Sequence, residues 1–306
     1  MTSLDNLPFT SINNMELIQM FKLNDAVVDF NNTIYSTVEE IKDKLTPAKT
    51  SSKHNNLSLL HVNIISLVKN IDKLHQIICK LPTPPDIIAI SETKLNKKSN
   101  MNFVNINDYN FIYKNSLTCA GGVGLYINKK FNYSLKSEIE LFGINVESLW
   151  VSINIDETTN VNIGVLYKHP KKLISEFSEE FSDVLAKLSA EKCKSYILGD
   201  FNINLNDKSQ KAVNNYSSIL KSYNYHNVIK YPTRITPSSS TCIDHLYTNC
   251  KNSIYKKFIL MEPISDHMPL FAILNVKHRS KMYKQIILEI FLPWIQINLY
   301  IQLNIN

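Results

Sequence analysis

Short apolar runs alternate with amphipathic stretches along most of this chain, and the two periodicities predict its elements. Runs at Leu57–Asn63, Asp86–Ser91, Gly122–Asn128, Leu149–Ile155, Val161–Tyr167, Tyr196–Leu198, Ile243–Thr248 and Leu270–Leu274 read as buried strands. Leu67, Ile71, Leu74, Ile77, Ile78 and Leu81 recur at helical spacing until Pro82 ends the pattern. Further helices are expected over Glu176–Leu188, with Ser175 as cap, and over Gln210–Ser222. Strands outnumber helices, and helices separate only some of them. That favours an α/β core of two sheets with helices outside over a doubly wound parallel sheet.

The flanks differ from this middle. Residues 1–56 are polar and Asn-rich, apart from Ser36-Thr37-Val38-Glu39, a capping-box pattern that opens a short helix through Leu45. Thr46-Pro47 and the polar run Thr50–Asn56 read as a linker, so a domain is expected over 57–275. Residues 276–306 are strongly apolar from Ile286, but Glu289, Pro293, Gln296, Asn298 and Gln302 spoil a clean membrane span, and no membrane association is expected.

Composition narrows the function classes. With 306 residues, 44% of them hydrophobic, the chain has enough apolar surface for a real core. Its five cysteines are scattered singly, and no signal peptide precedes them, which points to a reducing nuclear or cytoplasmic setting and excludes a disulfide scaffold and a zinc ribbon. Six glycines form neither a phosphate loop nor a dinucleotide fingerprint. The net charge of +6 permits an anionic partner; nearly all the excess is Lys, with Arg only at Arg234 and Arg279.

Candidate chemistry lies where the apolar runs stop. Asn63 ends one, Glu92 follows another, and Gly199-Asp200-Phe201-Asn202 ends a third. Asp244 enters an apolar run, and Ser265-Asp266-His267 precedes the last. Asp200 and Asn202, two apart on an extended segment, point the same way. Hard oxygen ligands, an amide pair and one imidazole beside an acid suit Mg²⁺, with Mn²⁺ as substitute, far better than zinc. A hard cation held by carboxylates, with a His and an Asp free for proton work, describes a phosphoryl-transfer site. Gly121 and Gly122 are equally consistent with a turn and with a close approach to a ligand, whereas Trp150, Phe177, Phe181 and Cys242 read as packing.

The ordered set Asn63, Ser91-Glu92-Thr93-Lys94, Gly121-Gly122-Val123-Gly124, Tyr167, Gly199-Asp200-Phe201-Asn202, Ile243-Asp244-His245 and Ser265-Asp266-His267 resembles the endonuclease/exonuclease/phosphatase superfamily. Tyr231–Thr236, followed by Ser238–His245, and Asn63-Ile64-Ile65-Ser66-Leu67 are similar to the endonuclease domain of non-LTR (LINE-type) retrotransposon polyproteins. The resemblance implies a four-layered, DNase I-like sandwich of two facing mixed sheets flanked by helices. It implies a Mg²⁺-dependent endonuclease that nicks double-stranded DNA, leaving a 3′-hydroxyl for target-primed reverse transcription, without an obligate protein partner.

By position, Asn63, Glu92 and Asp266 would hold the metal, Asp200 and Asn202 would position water and leaving oxygen, and His267, oriented by Asp244, would act as base or phosphate donor. Tyr167 would touch the phosphate; Lys94, Lys168, Arg234 and Thr236 would meet the DNA backbone. The family often carries Arg after the site Tyr, where this chain has Lys168-His169. A reverse transcriptase would follow in an intact polyprotein; no paired-Asp polymerase motif follows Asn275, and the tail reads as readthrough sequence on a truncated element. Two rivals are another phosphoesterase of this fold, acting on inositol phosphates or lipids, and an inactive transposon remnant.

Overall fold

The computed structural model describes residues 35–45 and 56–276; the expectations for 1–34, for the linker and for the tail from Lys277 fall outside them. The apolar runs pair into two large mixed sheets. The first runs, edge to edge, through β1 (Tyr35–Ser36), β15 (Ile254–Leu260), β16 (Leu270–Asn275), β2 (Asn56–Asn63), β3 (Ile87–Ser91), β5 (Val123–Asn128) and β4 (Tyr109–Lys114). The second runs through β11 (His226–Asn227), β14 (Asp244–Thr248), β10 (Lys194–Asp200), β9 (Thr159–Lys168), β8 (Val146–Asp156) and β6 (Tyr133–Leu135), with β7 (Phe142–Gly143) also on β8. A separate hairpin joins β12 (Arg234–Thr236) to β13 (Ser239–Thr241).

Helices cover the outer faces. Along β2, Leu60 and Val62 pack with Leu67, Ile71, Leu74, Ile77 and Ile78 of α2 (Leu67–Lys80) and with Val38 and Ile41 of α1 (Val38–Leu45). Leu59 and His61 alternate with them, as a strand's two-residue period requires, and point the other way, toward the second sheet, which β2 and β3 meet through β10. On the far side Phe177, Phe181, Val184, Leu185 and Leu188 of α3 (Ile174–Ala190) join Val213, Tyr216 and Leu220 of α4 (Lys211–Ser222) over Ile197 and Leu166. Phe177 and Phe181 are fully buried, each worth roughly 2–3 kcal/mol of transfer free energy. The order helix, sheet, sheet, helix is the expected four-layered sandwich.

Three local differences have clear causes. The capping box forms one residue later than the pattern suggested: Thr37 Oγ1 accepts from the Glu40 N–H at 3.2 Å, and Glu40 Oε2 accepts from the Thr37 N–H at 3.3 Å. Together β1 and α1 add to the sheet and core upstream of the boundary drawn at Leu57. Helix α3 begins at Ile174 with Leu173 flanking it, so Ser175 lies in its first turn and caps nothing. Finally, β4, β6 and β15 lacked a clean apolar signal because each is partly exposed: β15 carries Lys256 and Lys257 in its middle.

Candidate active site

The strand ends converge where the two sheets meet. Asn63, the last residue of β2, donates from Nδ2 to Glu92 Oε1 at 2.9 Å and to Asp200 Oδ2 at 2.9 Å, so one amide links the first sheet to the second. Ser265 Oγ donates to the Asn63 carbonyl at 3.0 Å and accepts from the His267 N–H at 3.2 Å, which adds the loop before β16. Asp200 closes β10. Its position depends on Gly199, where a Cβ would lie 1.9 Å from the Leu166 carbonyl oxygen of the neighbouring strand. No other residue fits there.

Asp200 is held from three directions. Besides Asn63, the Asn202 side chain donates to its Oδ2 at 3.1 Å, and the Asn202 N–H donates to Oδ1 at 2.9 Å. A third bond, from Asn202 Nδ2 to the Lys168 carbonyl at 2.9 Å, fixes that amide against β9. Asn202 adopts φ 48° and Glu92 φ 52°, left-handed backbone that Asn tolerates and Glu rarely adopts. Glu92 is kept there by its neighbours: the Thr93 and Lys94 N–H groups donate to the carbonyls of Gly122 and Gly121 at 3.0 and 2.9 Å. The Gly121–Gly122 turn is in turn pinned by the buried Glu147 carboxylate, which accepts from the Gly122 and Leu117 N–H groups. The two glycines thus serve a turn that shapes the Glu92 loop.

Asp244 and His267 form the second half. His267 Nδ1 lies 2.8 Å from Asp244 Oδ2, and Thr233 Oγ1 donates to the same oxygen at 2.7 Å. The other oxygen, Oδ1, is buried without a hydrogen-bond partner and stands 4.0 Å from His61 Nδ1, likewise unpartnered among the described residues. Burial alone would push the Asp244 carboxyl up; the facing His267 more than offsets it, and Asp244 is held below the ordinary range. Burial pulls His267 down, but Asp244, then Asp200 and Asp266, raise it to about 9. Asp200 moves up to about 7, first by desolvation and then by the charge of Asp244. Burial, then Glu92 and Asp200, push the Tyr167 phenol far above its usual value, so it remains a donor.

The outer residues are placed less uniformly. Lys94 Nζ lies 3.7 Å from Glu92 Oε2, at the rim of the site. Arg234 Nε donates to Asp266 Oδ2 at 2.6 Å, so the one described arginine is engaged by an acid expected to hold metal. Thr236 shares its hydroxyl with Ser239 inside the β12–β13 hairpin at 2.8 Å. Lys168, expected at the DNA backbone, is 1% exposed and donates to the His169 carbonyl; burial holds its ammonium down at about 8. A buried lysine presents no surface to a duplex, and that expectation is corrected. Thr233, Glu147 and His61, which support the site, carried no signal of their own beyond polar side chains in or beside apolar runs.

Three carboxylates at strand ends, Glu92, Asp200 and Asp244, the last with an unpartnered buried oxygen, and Asp266 in the loop before β16 offer hard ligands that fit a divalent cation. Among the described residues Asp200, Asp244 and His267 bring ligand atoms within 4.8 Å of one another, and Asn63 bridges Asp200 to Glu92 beside them.

No family model matches the chain, and no curated protein matches it by sequence. Solved structures do match in fold. The endonuclease domain of TRAS1, a telomere-specific non-LTR retrotransposon, is 12% identical with a TM-score of 0.55, covering 73% of this chain and 99% of that one. The AP endonuclease LMAP from Leishmania major is 13% identical with a TM-score of 0.58, covering 79% and 96%. The human nocturnin catalytic domain is 14% identical with a TM-score of 0.56, covering 74% and 96%. The chain has the fold of the endonuclease/exonuclease/phosphatase proteins.

Proposed function

We propose that this chain is a metal-dependent endonuclease that nicks double-stranded DNA, of the kind that starts target-primed reverse transcription in non-LTR retrotransposons. The observation that carries the reading is the pair of linked constellations, Glu92–Asn63–Asp200–Asn202 and Thr233–Asp244–His267, assembled from six chain segments at one seam. Structural cores seldom gather so many acids without a ligand to balance them.

Each residue has work suited to its environment. Asp200, with a proton affinity near neutrality, is matched to take the proton of an attacking water, and its three amide bonds aim the carboxylate. Asn202 is locked beside it, where its amide can steady the leaving 3′-oxygen. His267 is an imidazolium at neutral pH, which favours its role as a hydrogen-bond donor to the phosphate over that of a base. Asp244 fixes the ring through Nδ1 and leaves Nε2 for the substrate. The Tyr167 phenol, neutral throughout the working range, would donate a further bond to the phosphate. Glu92, with Asn63 and Asp266, would hold Mg²⁺, which when bound supplies positive charge to the non-bridging oxygens. Lys94 and the hairpin bearing Arg234 and Thr236 would meet the DNA backbone.

The test is a supercoiled plasmid incubated with the protein and Mg²⁺. We expect relaxed circles, their loss with EDTA, and at least about a hundredfold lower rate for Asp200→Ala and His267→Ala. Nicking that survives in both variants removes the assigned site. Release of phosphate from a soluble monoester without nicking would favour a phosphatase instead.

A further inference from the structure

A second feature lies where the site residues do not reach. A cleft of about 1010 Å³ opens along one side of the sandwich, lined by β11 and β14 of the second sheet, β15 of the first, the end of α4 and the 205–208 loop. None of Asn63, Glu92, Asp200, Asp244, Asp266 or His267 lines it. Seven lysines do, and no Asp or Glu is among its described lining residues.

Among the described residues most of that charge has no acidic counterpart. Elsewhere lysines find acids, as in Lys80 with Glu262 at 2.9 Å, Lys136 with Glu191 at 2.8 Å and Lys172 with Glu180 at 2.6 Å. Among the described residues none of Lys208, Lys221, Lys230, Lys251, Lys256 and Lys257 has an acidic partner within ion-pair distance, whereas Lys44 at the margin pairs with Glu40. Lys257 is half-buried and bonded to the Val228 carbonyl at 3.0 Å; burial, and then the charge of Lys230, hold its ammonium below the usual lysine range. Gathering like charges costs free energy that a polyanion would return. The rim also offers a flat ring: Tyr255 is 60% exposed, with Lys256 Nζ 5.7 Å from its centroid.

We propose that this cleft binds a single-stranded nucleic acid, its phosphates tracked by the lysines and a base stacked on Tyr255. A basic groove with an exposed aromatic ring is the arrangement that suits a flexible strand with splayed bases. A cleft entered from the side, with a ring to stack on, suits unpaired bases better than a stiff duplex. The inference rests on charge and shape here and not on the nuclease reading.

Fluorescence anisotropy with labelled oligo-dT of twelve nucleotides and the full-length protein tests it. Lys208→Glu/Lys230→Glu/Lys251→Glu changes three exposed side chains, and Lys69→Glu/Lys129→Glu/Lys192→Glu makes the same change in net charge elsewhere. We expect the cleft variant to bind at least about tenfold more weakly, with a salt dependence shallower by about 2 in log–log slope. The control variant should bind as the parent does. Tyr255→Ala should weaken binding roughly fivefold or more, and Tyr255→Phe should restore it. Equal losses in the cleft and control variants, or none in either, overturn the site. A duplex of the same length bound more tightly than oligo-dT, and lost equally in the cleft variant, overturns the single-stranded assignment. Because the cleft shares none of the nuclease residues, oligo-dT binding and plasmid nicking are read on different side chains, and failure of either proposal is seen separately.

Discussion

Replacing Asp244 by Asn removes one negative charge from between two imidazoles while keeping the side chain's shape. In the parent protein His267 is raised to about 9 from an ordinary 6.5, a preference for the imidazolium worth about 3 kcal/mol. Burial opposes that preference, and Asp244 is the largest of the acids that overcome it, so without its charge the ring should titrate well below the parent's value. A group whose folded pKa lies above its unfolded value stabilises fully below the unfolded value and loses that contribution as pH rises through the folded one. The parent should therefore lose up to about 3 kcal/mol from this group between pH 6 and pH 10, and Asp244→Asn should lose little of it. Asp200, itself raised to about 7, gives up its folded-state proton in the same range and adds its own loss of stability as pH rises. Histidine NMR titrations in EDTA give the two midpoints, and urea unfolding of both proteins at pH 6 and pH 10 gives the energies. A parent His267 that titrates near 6.5, or a stability gap between the two proteins that does not change with pH, refutes the reasoning.

Two further predictions concern the scaffold. Gly199→Ala should destabilise the protein by at least about 2 kcal/mol, since its Cβ would meet backbone and not a side chain that can move aside; a urea midpoint within error of the parent would contradict this. Thr37→Ala should cost about 1 kcal/mol by removing the oxygen that accepts from the Glu40 N–H, whereas Ser36→Ala should not remove a cap; equal losses in the two would contradict the one-residue shift of the capping box.

The convergence of Asn63, Glu92, Asp200 and Asp244 in the candidate site was legible because each adjoins an apolar run, and a polar side chain there has few places to go except the end of a sheet. The partners that aim these side chains were not legible in the same way. Thr233 meets Asp244 because the β12–β13 hairpin folds back on the 266–268 segment, with the Met268 N–H on the Thr233 carbonyl at 2.7 Å. Glu147 sits on the second sheet and pins a turn of the first, a contact set by how the sheets face each other. The burial of Lys168 has a similar origin: position after Tyr167 suggested a surface cation, but β9 is a central strand and its last residue remains covered. Strand β15 escaped notice because Lys256 and Lys257 break its apolar run, and those lysines now line the basic cleft.

The left-handed backbone at Glu92 and Asn202 has an evolutionary consequence. Each such conformation costs on the order of 1 kcal/mol, and the acids gathered behind them add repulsion. Glycine at position 92 would relieve the strain and remove a charge, giving a more stable protein with no Glu92 to offer. Under the proposed function, copies released from selection for cleavage should therefore drift toward Gly at position 92 and become sturdier, inert versions of this same sandwich.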